Sequence, residues 1–201
     1  FGEPPVIFDS LLTKKSARQI KLFYINKGFF HCTVNDSVVL QKNKRARVYY
    51  VVNAGRPYVI RNLSYEIKDE QLSYYVLSDA SSCLIKRGLN YDADLLQQER
   101  TRITNMLRND GYYNFSKEYI YYEIDSALSS YEVDVTLGIK NQLVKAEGEK
   151  DTVKEIAHNR FYINNIYIHT DHDPKIKPTR KDTLAIHDYF LLQTGPLRYK
   201  P

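Results

Sequence analysis

Residues 91–113 of the chain read YDADLLQQERTRITNMLRNDGYY, and residues 8–30 read FDSLLTKKSARQIKLFYINKGFF. The two stretches correspond at a constant spacing of 83 positions, which carries Asp9 to Asp92 and Gly28 to Gly111. The same spacing continues into a β-rich stretch, where 48–55 corresponds to 131–138. An unbroken spacing through helix-like and strand-like segments is hard to obtain by chance, so the sequence predicts an array of tandem modules.

Each of the two quoted stretches predicts an amphipathic helix that ends at a glycine. In the first, over 9–27, Asp9 or Ser10 is placed to cap the start. Gly28 and Gly111 stand where a left-handed residue stops a helix. The apolar residues predicted to share one face of the first helix are Leu12, Ile20, Phe23 and Tyr24. Those predicted to face inward in the second are Leu95, Ile103, Met106 and Leu107.

Strand-like segments surround these helices. Their β-branched and aromatic content predicts strands at 31–40, 48–55, 58–67, 119–125 and 131–138. A further helix is predicted near 69–78. From residue 58 the order is therefore strand, helix, helix, strand, strand.

The repeats also predict how the chain is divided. Residues 1–57 are expected to be the C-terminal part of one module and 58–141 a complete module. Residues 142–201 are expected to be a charged connector (142–157) and the N-terminal part of a further module, because 161–168 copies the strand that starts at Tyr58. The tail, 182–201, is expected to carry the first helix of that module or an extended variant of it. The chain is thus predicted to be a slice of a longer array.

The composition excludes several classes of protein. The 201-residue chain has 43% hydrophobic and 26% charged residues, which is the composition of a folded protein. Its net charge of +5 is small for a nucleic-acid-binding domain. No apolar stretch approaches the ~20 residues needed to span a bilayer. Cys32 and Cys83 are too few for a disulfide framework and lack metal-ligand spacing. Catalytic signatures are not found, so no enzyme activity, cofactor or metal is predicted.

The module order, the helix that ends in G-[FY]-[FY] and the last strand that runs into a glycine together resemble the POTRA domain. This domain forms the periplasmic arms of the BamA/TamA family (surface antigen family) of outer-membrane assembly proteins. The matching positions are Tyr91-Asp92, Gly111-Tyr112-Tyr113, Val133, Val135 and Gly138 in one module, and Phe8-Asp9, Gly28-Phe29-Phe30, Tyr50, Val52 and Gly55 in the other. The resemblance covers most of residues 2–168 and implies an α+β fold, in which two helices cover a three-stranded mixed sheet.

The resemblance also implies a role without enzyme activity, at the periplasmic face of the bacterial outer membrane. Proteins of the family receive unfolded outer-membrane polypeptides, bind accessory periplasmic or lipoprotein subunits, and deliver clients to their own C-terminal membrane β-barrel, which this chain lacks. These are the expected partners. Neither nucleic acid nor a small-molecule substrate is expected.

In such a module one strand of the hairpin is left at the edge of the sheet, where its unpaired backbone groups offer a template for an extended peptide. This β-augmentation takes its affinity from main-chain bonds. In the strand at 119–125, one face is expected to pack beneath the helices and to leave the tyrosines of the other face for a partner. An ordinary sheet surface is the alternative interpretation. The candidate partner-binding residues are His31, Thr33, Val34, Ser37, Val39, Tyr119, Tyr121 and Glu123.

Other interpretations stay open at this point. A two-partner secretion transporter carries modules of the same type. Eighteen tyrosines and a pI near 9.0 also fit a nucleic-acid-binding α+β module, whose binding would depend steeply on salt. The basic segment 42–47 either meets lipid headgroups or forms a charged hairpin tip. The cluster from His169 to Asp173 supplies either metal ligands or a solvated turn.

Overall fold

The computed structural model divides the chain into two compact units, Phe1–Asn159 and Arg160–Pro201. It describes residues 7–126, 130–145, 153–169, 182–186 and 189–193. The helices of the first unit are α1 (Ser10–Asn26), α2 (Glu70–Ser78) and α3 (Ala93–Asn109). Its strands are β1 (Thr33–Gln41), β2 (Arg45–Asn53), β3 (Val59–Ile67), β4 (Ile120–Asp125), β5 (Glu132–Ile139), β6 (Gln142–Lys145) and β7 (Val153–Ile156).

A three-stranded sheet of order β3-β5-β4 is the central layer of the first unit. Its middle strand, β5, runs parallel to β3 and antiparallel to β4. Helices α2 and α3 cover one face, where Leu72 and Val76 of α2 and Ile103 and Leu107 of α3 pack with Leu137 of β5. The predicted α+β fold, a mixed three-stranded sheet covered by two helices, is confirmed.

The helices begin and end where their sequences predict. Asp9 and Asp92 cap α1 and α3 through their carboxylates, which accept backbone N–H groups of the first turn. Gly28 and Gly111 follow with φ angles of 88° and 94°, which is the left-handed region. Both helices are 17 residues long, and their first and last residues keep the spacing of 83 positions. The predicted module boundaries at 57/58 and 141/142 stay predictions.

The pairing of the first strand of each hairpin does not keep the spacing of 83 positions. Val52 of β2 pairs with Val34, whereas its counterpart Val135 of β5 pairs with Ile124. Strand β4 also starts later than the spacing predicts, because Lys117–Tyr119 form a short 3-10 turn before it. Tyr119 therefore lies in this turn, just before the strand.

The inward face of α1 differs from the predicted one. Thr13 and Ala17 are its buried residues, whereas Leu12 and Phe23 are 57% and 58% exposed. Helix α3 lies beside α2, whereas α1 packs mainly against β1. The apolar face predicted for this helix is therefore largely exposed at Leu12 and Phe23 in the described part of the chain.

The second unit contains a sheet of order β8-β10-β9, formed by β8 (Ile166–His169), β9 (Asp182–Ile186) and β10 (Tyr189–Gln193). The strand predicted at 161–168 therefore starts later than expected. The helix expected in the tail is not found at 182–186 or 189–193, which are strands. The uninterrupted apolar run YFLL (189–192) has no helical periodicity and suits a central strand with neighbours on both edges. Residues 194–201 lie outside the described residues.

A tight joint holds the end of α1 against the β3–α3 part of the first unit. The Gly28 carbonyl accepts the N–H of Tyr58 at 2.9 Å. Phe30 packs on the rings of Tyr58 and Tyr91, with ring centroids 4.7 and 5.2 Å apart. A Cβ on Gly28 would lie 2.8 Å from the Tyr91 carbonyl oxygen, so this position requires glycine for its neighbour as well as for its φ angle.

Gly28→Ala is expected to destabilise the protein more than Gly55→Ala. Both glycines have left-handed φ angles, 88° and 72°, so both substitutions carry a backbone cost of about 1–2 kcal/mol. A Cβ on Gly55 has nothing within 4 Å, whereas one on Gly28 meets backbone. We expect the free energy of unfolding, measured by denaturant titration, to fall by roughly 1 kcal/mol more for Gly28→Ala. Equal losses for the two variants would contradict the tight joint.

Candidate functional site

Strand β4 is an outer strand of its sheet, so one of its backbone edges is not paired within the sheet. The N–H of Lys140 donates to the carbonyl of Tyr119 at 2.9 Å, which fixes the phase of the ladder between β4 and β5. Since alternate residues of an antiparallel strand bond to the partner strand, Tyr121 and Glu123 bond to β5. Both backbone groups of Tyr122 and Ile124 point to the free edge, as does the carbonyl of Ile120, whereas the N–H of Ile120 donates to the Lys117 carbonyl.

The side chains of these edge residues hold β4 to the helices. Ile120 is buried, and Ile124 packs against the core. The Tyr122 hydroxyl donates to the carbonyl of Leu96 on α3 at 3.1 Å, and burial of the ring raises the pKa of Tyr122. The face of β4 that carries these residues therefore packs beneath the helices, as predicted, while its backbone faces outward.

The opposite face of the sheet is organised by Tyr121. Its ring lies across Gly138 of the central strand, and its hydroxyl donates to a carboxylate oxygen of Glu66 on β3 at 3.2 Å. Burial first, and the neighbouring Glu66 second, raise the pKa of Tyr121. A side chain at 138 would overlap the ring, which explains a glycine in the middle of a three-stranded sheet. Tyr121 is thus a part of the sheet surface and does not extend freely toward a partner.

The other predicted residues of this strand differ in their surroundings. Tyr119 is half-buried in the turn before β4, where its ring packs on Phe115 and His158 with centroids 5.7 and 4.6 Å away. Glu123 is exposed on the same face as Tyr121. Of the three predicted side chains, Glu123 is the one that solvent reaches most freely.

The predicted residues near β1 belong to a different sheet, the two-stranded β1-β2. His31 precedes the strand, and its Nε2 lies 2.9 Å from the Tyr58 hydroxyl, so it belongs to the joint. The strand residues Thr33, Ser37 and Val39 are exposed, and Val34 is half-buried opposite Val52. The structure therefore provides two separate candidate edges and does not bring the two predicted sets together.

A groove of about 820 Å³ lies over the outer face of the sheet, beside β4. Tyr121 lines it from the sheet, and Leu143 and Glu155 of the hairpin β6–β7 form a wall. The charged side chains that line it are Glu66, Lys68, Glu118, Glu123, Lys140 and Glu155. The groove therefore combines aromatic surface with an excess of carboxylates.

The sequence pattern did not reveal this wall, because 142–157 was predicted to be a charged connector. The segment contains the antiparallel hairpin β6–β7, and the chain returns to the sheet at His158, which is 5% exposed. His158 Nε2 lies 3.0 Å from the Lys140 carbonyl and Nδ1 lies 3.3 Å from the Gln142 amide nitrogen. Since a carbonyl only accepts, Nε2 carries the proton and Nδ1 accepts from Gln142. The apolar residues of QLVK and VKEI were a weak strand signal, and nothing in the sequence marked His158.

Asp69 holds both α2 and the return of this hairpin. One of its carboxylate oxygens accepts two backbone N–H groups in the first turn of α2, at 3.1 and 3.2 Å. The other accepts the N–H of His158 at 2.9 Å. This buried carboxylate therefore ties the wall of the groove to the helix layer.

Metal ligands, cysteine thiols and membrane-spanning helices are the other features of the described residues that bear on function. Within them, no three His, Cys, Asp or Glu side chains are grouped so that they could hold a metal ion. Cys32 and Cys83 are buried free thiols. The side chains of the cluster from His169 to Asp173 lie outside the described residues. No helix in the described ranges has the length and apolar character needed to cross a membrane.

Comparisons with known proteins find similarity among solved structures. No family model matches the chain, and no curated protein matches it. The chain is similar to Haemophilus ducreyi BamA lacking POTRA domains 1–3, with 16% identity, a TM-score of 0.43, and coverage of 70% of this chain and 25% of that one. It is also similar to POTRA3-5 of Haemophilus influenzae BamA, with 12% identity, a TM-score of 0.43, and coverage of 96% and 83%.

A third similar structure is POTRA1-3 of the periplasmic domain of Omp85 from Anabaena, with 12% identity, a TM-score of 0.34, and coverage of 66% of this chain and 51% of that one. The chain therefore spans a quarter of the first of these structures and about half of the third. These matches are to BamA and Omp85 structures, the proteins whose POTRA domains the sequence resembles.

Gly138→Ala is expected to displace the Tyr121 ring, because the new methyl group would overlap it. The ring would then lose both its burial and its hydrogen bond to Glu66. Since both raise the pKa of Tyr121, we expect that pKa to fall toward its ordinary value. Titration of ¹³C-labelled tyrosine by NMR measures it, and Tyr122 on the other face is the internal control. An unchanged Tyr121 pKa would show that the ring does not lie across Gly138.

His158→Ala is expected to loosen the hairpin β6–β7. The substitution removes a buried ring and its hydrogen bonds to Lys140 and Gln142, which we expect to lower the unfolding free energy by roughly 2 kcal/mol. Hydrogen exchange should speed up at 142–145 and 153–156 more than at β5. Lys154→Ala, at an exposed position of β7, is the control and should leave exchange nearly unchanged. Unaltered exchange in His158→Ala would rule out this anchoring role.

Proposed function

We propose that the chain is a scaffold without enzyme activity, from an outer-membrane β-barrel assembly or translocation protein. It lies at the periplasmic face of the outer membrane and binds unfolded client polypeptides and accessory proteins. Binding takes place by addition of a strand to the edges of its sheets. The observation that carries the proposal is the outward-facing backbone of Tyr122 and Ile124.

Main-chain recognition suits a protein that handles many clients. An added strand gains hydrogen bonds to the N–H and C=O groups of β4, which are independent of the client's side chains. The edge is also held in place for such a partner, because the Tyr122 ring is buried and bonded to α3. A strand fixed in this way pays little conformational entropy when another strand pairs with it.

Strand β1 is a second candidate edge of the same kind. It is one of two strands in its sheet, and its residues Thr33, Ser37 and Val39 are exposed. Its register with β2 leaves one edge of each strand unpaired in that sheet. Client polypeptides and accessory proteins could therefore use different edges of the first unit.

The proposal predicts which backbone amides change their chemical shift when a peptide binds. Ten-residue peptides taken from outer-membrane barrel strands are titrated into the ¹⁵N-labelled chain, and backbone amide shifts are followed. We expect shifts at Ile120, Tyr122 and Ile124, with a second set at 33–39 if β1 also binds. Silence at both sets under saturating peptide would refute strand addition.

A pair of variants at one position separates the backbone from the side chain. Ile124→Pro removes an N–H that faces the free edge, whereas Ile124→Ala removes more of the side chain but keeps the N–H. We expect the proline variant to bind peptide about fivefold more weakly than the alanine variant, which corresponds to one main-chain hydrogen bond of about 1 kcal/mol. Equal affinities of the two variants would mean that β4 does not bind through its backbone.

A further inference from the structure

The surface beside the free edge of β4 has a charge opposite to that of the chain. Four glutamates and two lysines line the groove, although the chain as a whole carries a net charge of +5. A concave site lined mainly by one sign of charge attracts partners of the other sign. The groove is therefore suited to cationic groups.

The lysines of the groove are already engaged. Lys68 lies 3.4 Å from a carboxylate oxygen of Glu155, and the Lys140 ammonium lies 5.4 Å from the centre of the Tyr121 ring. Among the described residues, the groove carboxylates with neither a hydrogen-bond nor an ion-pair partner are Glu118 and Glu123. Two negative charges next to β4 are thus available to an incoming strand.

We propose that β4 selects incoming strands that carry lysine or arginine on the face that continues the groove. This inference rests on the proposed function, because it requires a strand to add at β4. A residue paired opposite Glu123 points to the same face as Glu123, with its Cβ ~4.5–5.5 Å away. Its neighbour two positions along lies opposite Tyr121, where a cation is close to the carboxylates of the groove.

The other face of the added strand continues the apolar side of β4, which carries Ile120, Tyr122 and Ile124. Side chains of a strand alternate between the two faces of a sheet. The selected segment therefore alternates basic with apolar residues. The partner class is a polypeptide with a basic, amphipathic strand, and the main-chain bonds supply the affinity that is common to all clients.

The test compares two ten-residue peptides with the same apolar residues at alternate positions. One carries lysine at the positions between them and the other carries glutamate. With the full chain at low salt, we expect the lysine peptide to bind about tenfold more tightly, since two cross-strand contacts change from repulsive to attractive. Fluorescence anisotropy gives both affinities, and the ratio should shrink as salt is added.

Glu123→Gln should reduce the ratio of affinities to about threefold, because one of the two contacts is lost. Glu70→Gln, at an exposed position in the first turn of α2, is the matched control and should leave the ratio unchanged. If both peptides bind equally and shift the amides of 120–124, the charge preference is wrong while strand addition stands. If neither peptide shifts these amides, the proposed function fails and this inference fails with it. Binding of the lysine peptide without shifts at 120–124 would also overturn the inference.

Discussion

The constraint on which the rest of the structure depends is that β5 pairs with a neighbour on both sides. With β3 parallel on one side and β4 antiparallel on the other, the sheet can grow only beyond its outer strands. The start of β3 is already bonded, since the N–H of Ile60 donates to the Leu89 carbonyl and the N–H of Gly88 donates to the Ile60 carbonyl. The backbone groups along β4 are therefore the natural place for another chain to join this sheet.

Two local features give this flat sheet a concave outer surface. The absence of a side chain at Gly138 lets the Tyr121 ring lie down across the central strand as far as Glu66. The bond from Asp69 to the His158 backbone brings the hairpin β6–β7 against the end of the sheet. Neither feature is needed to form the sheet, and together they place carboxylates and aromatic surface next to its open edge.

Features that depend on residues close together in the sequence could be predicted, whereas features that depend on contacts between distant residues could not. The helix caps Asp9 and Asp92 and the stops at Gly28 and Gly111 act within one turn, so their signals are local and were predicted correctly. The exposure of Leu12 and Phe23 depends on a neighbouring helix, which no pattern within α1 reveals. Sheet register was harder still, because the pairing of β4 with β5 differs from that of β1 with β2 although the sequences of the two modules correspond.

The same limit applies to the candidate site. Strands β1 and β4 were predicted as edges from the order of elements alone. The contacts of Tyr121 with Gly138 and Glu66 join three strands, so they become visible only once the register is known.

The joint at Gly28 has a further consequence, because Lys27 also bridges to Asp92 at the start of α3, 2.8 Å away. Strands β1 and β4 are thus held at a set distance, and under the proposed strand addition a polypeptide long enough to reach both would gain avidity that a shorter one lacks.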